Sequence, residues 1–141
     1  MVRTPARNRF AHSDPFLSIA AQPIGMTITL NVAIQVTSLA GDTLTVRMKV
    51  NGTTLIIWTF VIPNGSSNLV CSIRNDMVVA GSTLRTTNLS YVAGTPTLVY
   101  DAPSYTRAQS NVFSITGQWG ANASTATVKL LSMTAAFPNG A

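Results

Sequence analysis

Apolar and polar residues alternate along most of the chain from residue 26 onward. Between Met26 and Val36 every second residue is apolar, and the residues between them are mainly Thr, Asn and Gln. The same alternation returns after the dipeptide Gly41-Asp42 and continues to Val50. Because successive side chains of a strand point to opposite faces, this period of two predicts two strands that each bury one face.

A tight turn is predicted after the second of these strands, at Asn51-Gly52. Both central positions of a type I′ turn need positive φ, which Asn and Gly adopt readily, so the dipeptide indicates a β-hairpin. The returning strand, 53–62, is apolar on both faces over most of its length. One of these faces needs a cover that a partner sheet does not provide, and either a neighbouring subunit or the N-terminal segment could supply it. We expect Trp58 and Phe60 to lie in an interface between subunits.

The rest of the chain contains shorter apolar segments separated by turns rich in Gly, Pro, Asn and Ser. The predicted strands of this region are 69–74, 78–79, 82–92, 98–100, 111–119 and 125–135. A total of about seven to nine strands without intervening helices is typical of an antiparallel β-sandwich. About four strands in each of two sheets would form a jelly roll.

The composition agrees with an all-β fold and one domain. The chain has 141 residues, of which 46% are hydrophobic and only 9% are charged, and none is Glu. Long helices depend on Glu, Lys, Leu and Ala, so this composition disfavours them. We therefore predict an extended basic arm, 1–22, followed by one β-sandwich domain, 23–141.

The arm has a composition of its own. It holds three of the nine basic residues together with apolar side chains, and it shows no strand period. A purely solvated tail has no need of large apolar residues, so an arm that docks on a partner explains both features. The candidate attachment residues are Arg3, Arg7, Arg9, Phe10 and Phe16.

Few residues are available for catalysis or metal binding. The chain has one His, one Cys and four acidic residues, all Asp. A nucleophile with an oriented base, a zinc site and a calcium loop all need clusters that these numbers do not supply. We expect no enzymatic activity, no metal and no cofactor, and we expect Cys71 to be a buried, inert thiol.

Membranes and nucleic acid are not expected as partners. No apolar run approaches the roughly 18 residues of a membrane-spanning helix. The N-terminus lacks the apolar core of a signal peptide, because Asp14 and Pro15 interrupt it. The net charge is +5, but the three arm arginines neutralise at most about three phosphates, which gives only weak, salt-sensitive binding.

Two segments resemble small jelly-roll virion proteins of tailed bacteriophages. Residues 41–54, GDTLTVRMKVNGTT, match a strand with outward charges followed by a tight turn. Residues 113–124, FSITGQWGANAS, match a late strand followed by a small polar turn. The resemblance implies a β-domain that trimerises and an N-terminal segment that attaches it to the particle, and it brings no catalytic residues.

The resulting functional prediction is a capsid decoration protein at the virion surface. It would form a homo-oligomer, a trimer, and bind the major capsid protein through its basic arm, whose arginines complement an acidic capsid exterior. Two alternatives stay open. One is a small jelly-roll coat protein that forms the shell itself, and the other is a carbohydrate-binding fibre or tail component with a sugar site built from an exposed Trp119 and polar loops.

Overall fold

The computed structural model of the chain describes residues 16–19, 22–38, 41–100, 103–105, 110–120 and 126–137. Within these ranges the chain forms strands and turns, and no helix that could cross a membrane is found there. The strands are β1 (Phe16–Ile19), β2 (Thr27–Ser38), β3 (Asp42–Val50), β4 (Thr53–Ile62), β5 (Ser66–Val79), β6 (Leu84–Val92), β7 (Thr95–Leu98), β8 (Asn111–Trp119) and β9 (Ala126–Ala136).

The strands form two antiparallel sheets. The five-stranded sheet has the order β1-β8-β3-β4-β7, and the four-stranded sheet has the order β6-β5-β2-β9. Strands pair in nested fashion around the β5–β6 hairpin, because β4 pairs with β7, β3 with β8 and β2 with β9. This wrapped pairing is that of a jelly roll, so the predicted all-β sandwich is confirmed.

One apolar core fills the space between the sheets. The inward positions of β2, β3, β4 and β8 alternate with half-buried or exposed positions, as the period-two pattern predicts. The largest fully buried side chains include Trp58, Trp119, Phe60 and Phe113. Cys71 is also fully buried, and this burial raises the pKa of its thiol to about 11, so the thiolate that reacts with oxidants and metals is scarce.

Trp58 and Phe60 belong to this core and not to an interface between subunits. They are 0% and 2% exposed within one chain, and their ring centroids lie 4.4 Å apart. A β-bulge between β3 and β4 places Leu55 and Ile56 inward at consecutive positions, so Leu55 belongs to the core, and the apolar residues left on the outer face are Ile57 and Val61. Their predicted role as an oligomer interface is therefore wrong.

The predicted arm overlaps the sandwich at its C-terminal end. Residues Phe16–Ile19 pair with β8 as an edge strand, and Ile19 is 4% exposed in the core. The boundary at residue 22 is therefore wrong for this segment, which includes the backbone of the candidate attachment residue Phe16. The other four candidates, Arg3, Arg7, Arg9 and Phe10, lie outside the described residues, and their docking role stays a prediction.

Strand β5 is longer than the sequence predicted. It runs without interruption through Ser66–Val79, whereas the pattern indicated two short strands separated by polar residues. The residues between the two predicted strands, 75–77, keep the strand alternation, because Asn75 and Met77 point into the core while Asp76 points outward, as Arg74 does. The outward pair belongs to the candidate functional site.

Candidate functional site

A groove of about 230 Å³ lies on the outer face of the four-stranded sheet. All four strands of that sheet contribute to it, because their register places distant residues side by side. Arg74 of β5 lies between Ser90 of β6 and Asn31 of β2. We call this depression the sheet groove, and the outward side chains that line it are Asn31, Ala33, Ser72, Arg74, Ser90, Val92 and Ser132.

Short side chains create the depression. Ala33 of β2 pairs with Ser72 on one side and with Ser132 on the other, so three small residues stand in one row across the sheet. The neighbouring row contains the longer side chains of Asn31 and Arg74. Because outward side chains stand roughly perpendicular to a sheet, a row of small residues beside a row of long ones leaves a groove with a polar wall.

The polar wall is held by a hydrogen-bonded carboxylate, that of Asp76. Its Oδ1 accepts hydrogen bonds from Thr29 Oγ1 at 2.7 Å and from Arg74 Nε at 3.2 Å. Its Oδ2 accepts a longer bond of 3.4 Å from Asn88 Nδ2. Three donors from three different strands thus surround one carboxylate, which fixes Asp76 and, through it, the guanidinium of Arg74.

Asp76 is ionised at neutral pH. Partial burial acts to raise the pKa of its carboxyl group, but the hydrogen bonds from Thr29, Arg74 and Asn88 and the positive charge of Arg74 together outweigh burial and lower that pKa below its ordinary value. The side chain of Asp76 is 16% exposed, whereas that of Arg74 is 54% exposed. The carboxylate therefore lies beneath the arginine as its support, and the arginine faces solvent.

Arg74 retains donors for a ligand. Only its Nε is used by Asp76, and among the described residues its two terminal nitrogens have no protein partner. A guanidinium presents its N–H groups in a planar fork that matches two oxygen atoms of a ligand. The sheet thus offers a pre-oriented pair of donors at the wall of the groove.

An apolar side chain lies beside these donors. Val92, on the edge strand β6, pairs with Ser72, lines the groove and is 63% exposed. The neighbouring Tyr91 pairs with the core residue Ile73, so its ring lies on the opposite face of the sheet from Arg74. A ligand with one apolar face and several hydroxyl groups can pack against Val92 while it bonds to Arg74, Asn31 and Ser90.

The sugar site suggested by the sequence does not form at Trp119. This residue is 0% exposed, in the core strand β8, so its ring cannot stack on a ligand. Within the described ranges no group of three or more His, Cys, Asp or Glu residues could hold a metal ion. The sole histidine, His12, lies outside those ranges.

The outer face of the five-stranded sheet provides an internal contrast. It also carries an arginine, Arg47, whose Nη1 donates to Gln118 Oε1 at 2.9 Å. Arg47 lies between Ile57 and Thr116 in the sheet register. One of its terminal nitrogens is therefore already engaged with a neighbouring side chain, unlike those of Arg74.

Comparison with known proteins gives only distant similarity. No protein-family model matches the chain, and no curated protein matches it in sequence. One similar solved structure is the CBM2 module of the evolved Dit of Lactobacillus casei BL23 phage J-1, with 9% identity, a TM-score of 0.40, and coverage of 89% of this chain and 70% of that chain. Another is a tetrameric galectin from the ball sponge Cinachyrella sp., with 15% identity, a TM-score of 0.34, and coverage of 86% and 99%. At these TM-scores the site is interpreted from its own residues alone.

Proposed function

We propose that this protein is a non-enzymatic, carbohydrate-binding β-sandwich of a phage particle, and that sugars bind in the sheet groove. One observation carries the proposal: an arginine held by Asp76, whose terminal donors have no partner among the described residues, lines the same groove as several polar side chains and the exposed Val92. The setting in a phage particle rests on the sequence resemblance of residues 41–54 and 113–124.

The chemistry of the groove suits a sugar ring. A pyranose has one face of C–H groups, which packs on an apolar side chain such as Val92, and a rim of hydroxyl groups, which pair with Arg, Asn and Ser side chains. The groove, at about 230 Å³, is smaller than the roughly 300–1,000 Å³ pockets that enclose drug-sized ligands. It therefore holds a single ring, with the rest of the glycan in solvent.

Weak single sites are useful on a particle that displays many of them. A shallow groove with a few hydrogen bonds gives low affinity per copy, because each contact competes with water. When many copies are attached to one particle, the first bound copy holds the others near the glycan surface, so the overall affinity exceeds that of a single site by roughly 10²–10⁴-fold. Self-association of this chain, which the sequence predicts, would serve the same purpose.

Capsid decoration, the first prediction from the sequence, stays a prediction. Its attachment residues Arg3, Arg7, Arg9 and Phe10 lie outside the described residues. Binding to the major capsid protein and formation of a trimer also remain predictions. The sheet groove is compatible with either position on a particle, since a decoration protein and a tail protein both expose a sheet to the medium.

A glycan array tests the proposal with a matched pair of variants. The purified protein should bind a defined subset of glycans, and Arg74→Ala should weaken that binding by about tenfold or more, because a hydrogen bond to a charged donor is lost. Arg47→Ala, on the opposite sheet, should leave the binding unchanged. Thermal unfolding of both variants controls for the fold. Absence of binding to any glycan, or equal loss in the two variants, would contradict the proposal.

A further inference from the structure

We propose that the sheet groove selects acidic sugars, and that a sugar carboxylate binds the two terminal nitrogens of Arg74. This inference rests on the carbohydrate-binding function proposed above and narrows it to a substrate class. A neutral sugar needs hydrogen-bond donors and acceptors only, whereas an acidic sugar also needs an exposed cation with donors that neighbouring carboxylates leave unused.

The geometry of Arg74 favours a carboxylate. Its Nε is bound to Asp76 at 3.2 Å, and this bond sets the direction of the guanidinium plane. The two terminal nitrogens lie in the same plane as Nε and have no partner among the described residues. Two parallel N–H···O bonds to a carboxylate use this fork fully, and a lone hydroxyl group uses half of it.

The distribution of charge on this face also favours an anion. Among the described residues, the cationic side chains on the outer face of the four-stranded sheet are Arg74, Arg85 and Lys129, and the one carboxylate there is Asp76. Asp76 accepts hydrogen bonds from three side chains and is mostly covered, so its charge is compensated where it lies. The face that a ligand meets is therefore positive.

Lys129 adds charge close to the groove. It is exposed and pairs across the sheet with Gln35, the next outward residue of β2 after the groove residue Ala33. Arg85 lies farther away, opposite Val78 near the other end of β5. An anion in the groove thus meets one bidentate contact at Arg74 and a second, longer-range attraction from Lys129.

Matched sugar pairs test the inference. The probes are oligosaccharides that differ only at C6, such as galacturonate and galactose, glucuronate and glucose, and mannuronate and mannose, with acetate and inorganic sulfate as sugar-free anions. Titration calorimetry or fluorescence of the full chain should give at least about tenfold tighter binding to the acidic member of one pair. That preference should fall as salt rises from about 0.05 to 0.5 M, since salt screens exposed charges.

Variants separate the fork from the charge. Arg74→Gln should abolish the preference for the acidic sugar. Arg74→Lys should keep the salt dependence of acidic-sugar binding but lose most of the gain in affinity over the neutral sugar, because an ammonium group lacks the planar pair of donors. Lys129→Gln should reduce the preference by a few-fold, and Arg47→Gln, on the other sheet, should not change it.

Each outcome has one meaning. Equal binding of acidic and neutral sugars, both weakened by Arg74→Gln, overturns the acidic selectivity and leaves the carbohydrate function intact. Binding of acetate or sulfate as tight as that of the acidic sugar, also dependent on Arg74, overturns the inference in favour of a simple anion site. No binding of any sugar overturns the function and the inference together.

Discussion

Asn75 points from β5 into the core, where it is fully buried and neither atom of its amide group has a hydrogen-bond partner among the described residues. A buried polar group without a partner costs about 1–3 kcal/mol. Asn75 lies between the outward residues Arg74 and Asp76. Because strand side chains alternate between the two faces, the Asn75 side chain points into the core and does not contribute to the groove.

Asn75→Val should stabilise the protein by about 1–3 kcal/mol, because it removes an unsatisfied amide and suits a strand. Denaturant unfolding measures this change as a higher midpoint at constant slope. Asn111→Val is the matched control: Asn111 is equally buried, but its Oδ1 accepts a 2.9 Å hydrogen bond from Asn51 Nδ2, so this variant should be destabilised. A destabilised Asn75→Val protein would show that the amide is bonded in solution.

The hydrogen-bonded Asp76 predicts a pH dependence of stability. Since its pKa is lower in the folded than in the unfolded protein, its contribution is fully present above the unfolded pKa of about 3.9 and is lost as the pH falls through the folded value. Comparison of unfolding free energies for wild type and Asp76→Asn between pH 7 and pH 2.5 should show a difference that is constant at first and shrinks below about pH 4. A difference that is the same at every pH would contradict this account.

At the scale of strands and turns, the turn between β6 and β7 packs closely against the core. Gly94 has φ +72°, and a Cβ atom there would lie 2.5 Å from Phe60 Cε1 and 2.7 Å from Trp58 Nε1. The same indole nitrogen donates to the carbonyl oxygen of Ala93 at 3.1 Å. The turn is thus packed directly on the two largest aromatic side chains of β4.

Gly94→Ala should therefore destabilise the fold by about 2–4 kcal/mol, since backbone strain and overpacking add. Gly52→Ala provides the control, because Gly52 has φ +85° but a Cβ atom there would meet nothing within 4 Å. The loss at Gly52 should be limited to strain, about 1–2 kcal/mol. Thermal or denaturant unfolding compares the two variants. If the two variants lost the same free energy of unfolding, Phe60 and Trp58 would have to move away from the new methyl group at no cost in stability, which would contradict this account.

Strands with a period of two were predictable from the sequence. The pattern located β2, β3, β4, β6, β8 and β9 to within two residues, and the Asn51-Gly52 turn has the predicted positive φ at both positions. Strand β1 has only four residues and no pattern of its own, and β7 begins three residues earlier than predicted. Strand β5 was divided in the prediction because the polar residues Asn75 and Asp76 interrupt its apolar pattern.

The candidate site depends on register, which the sequence does not encode locally. Asn31 and Arg74 meet because β2 and β5 pair antiparallel, and Ser90 joins them through β6. One local signal was present: Arg74 and Asp76 are two residues apart, and in a strand this spacing places them on one face. That signal becomes visible only once β5 is recognised as one continuous strand.

At the scale of the whole molecule, the jelly-roll wrapping gives the protein two different outer faces. The outer face of the four-stranded sheet has a groove with an arginine whose terminal donors have no partner in the described part of the chain, and that of the five-stranded sheet has an arginine bonded to Gln118. The core closes within one chain, and it includes the aromatic residues first assigned to an interface. Trimer formation therefore stays a prediction without those residues as its basis.

The central claim, that a sugar binds the sheet groove, is tested most directly by mapping amide chemical shifts of ¹⁵N-labelled protein during titration with a glycan from the array. The account predicts shifts that cluster at Asn31, Ser72, Arg74 and Ser90 and that vanish in Arg74→Ala. Shifts confined to the opposite sheet around Arg47 and Gln118, or to loops outside the groove, would contradict it.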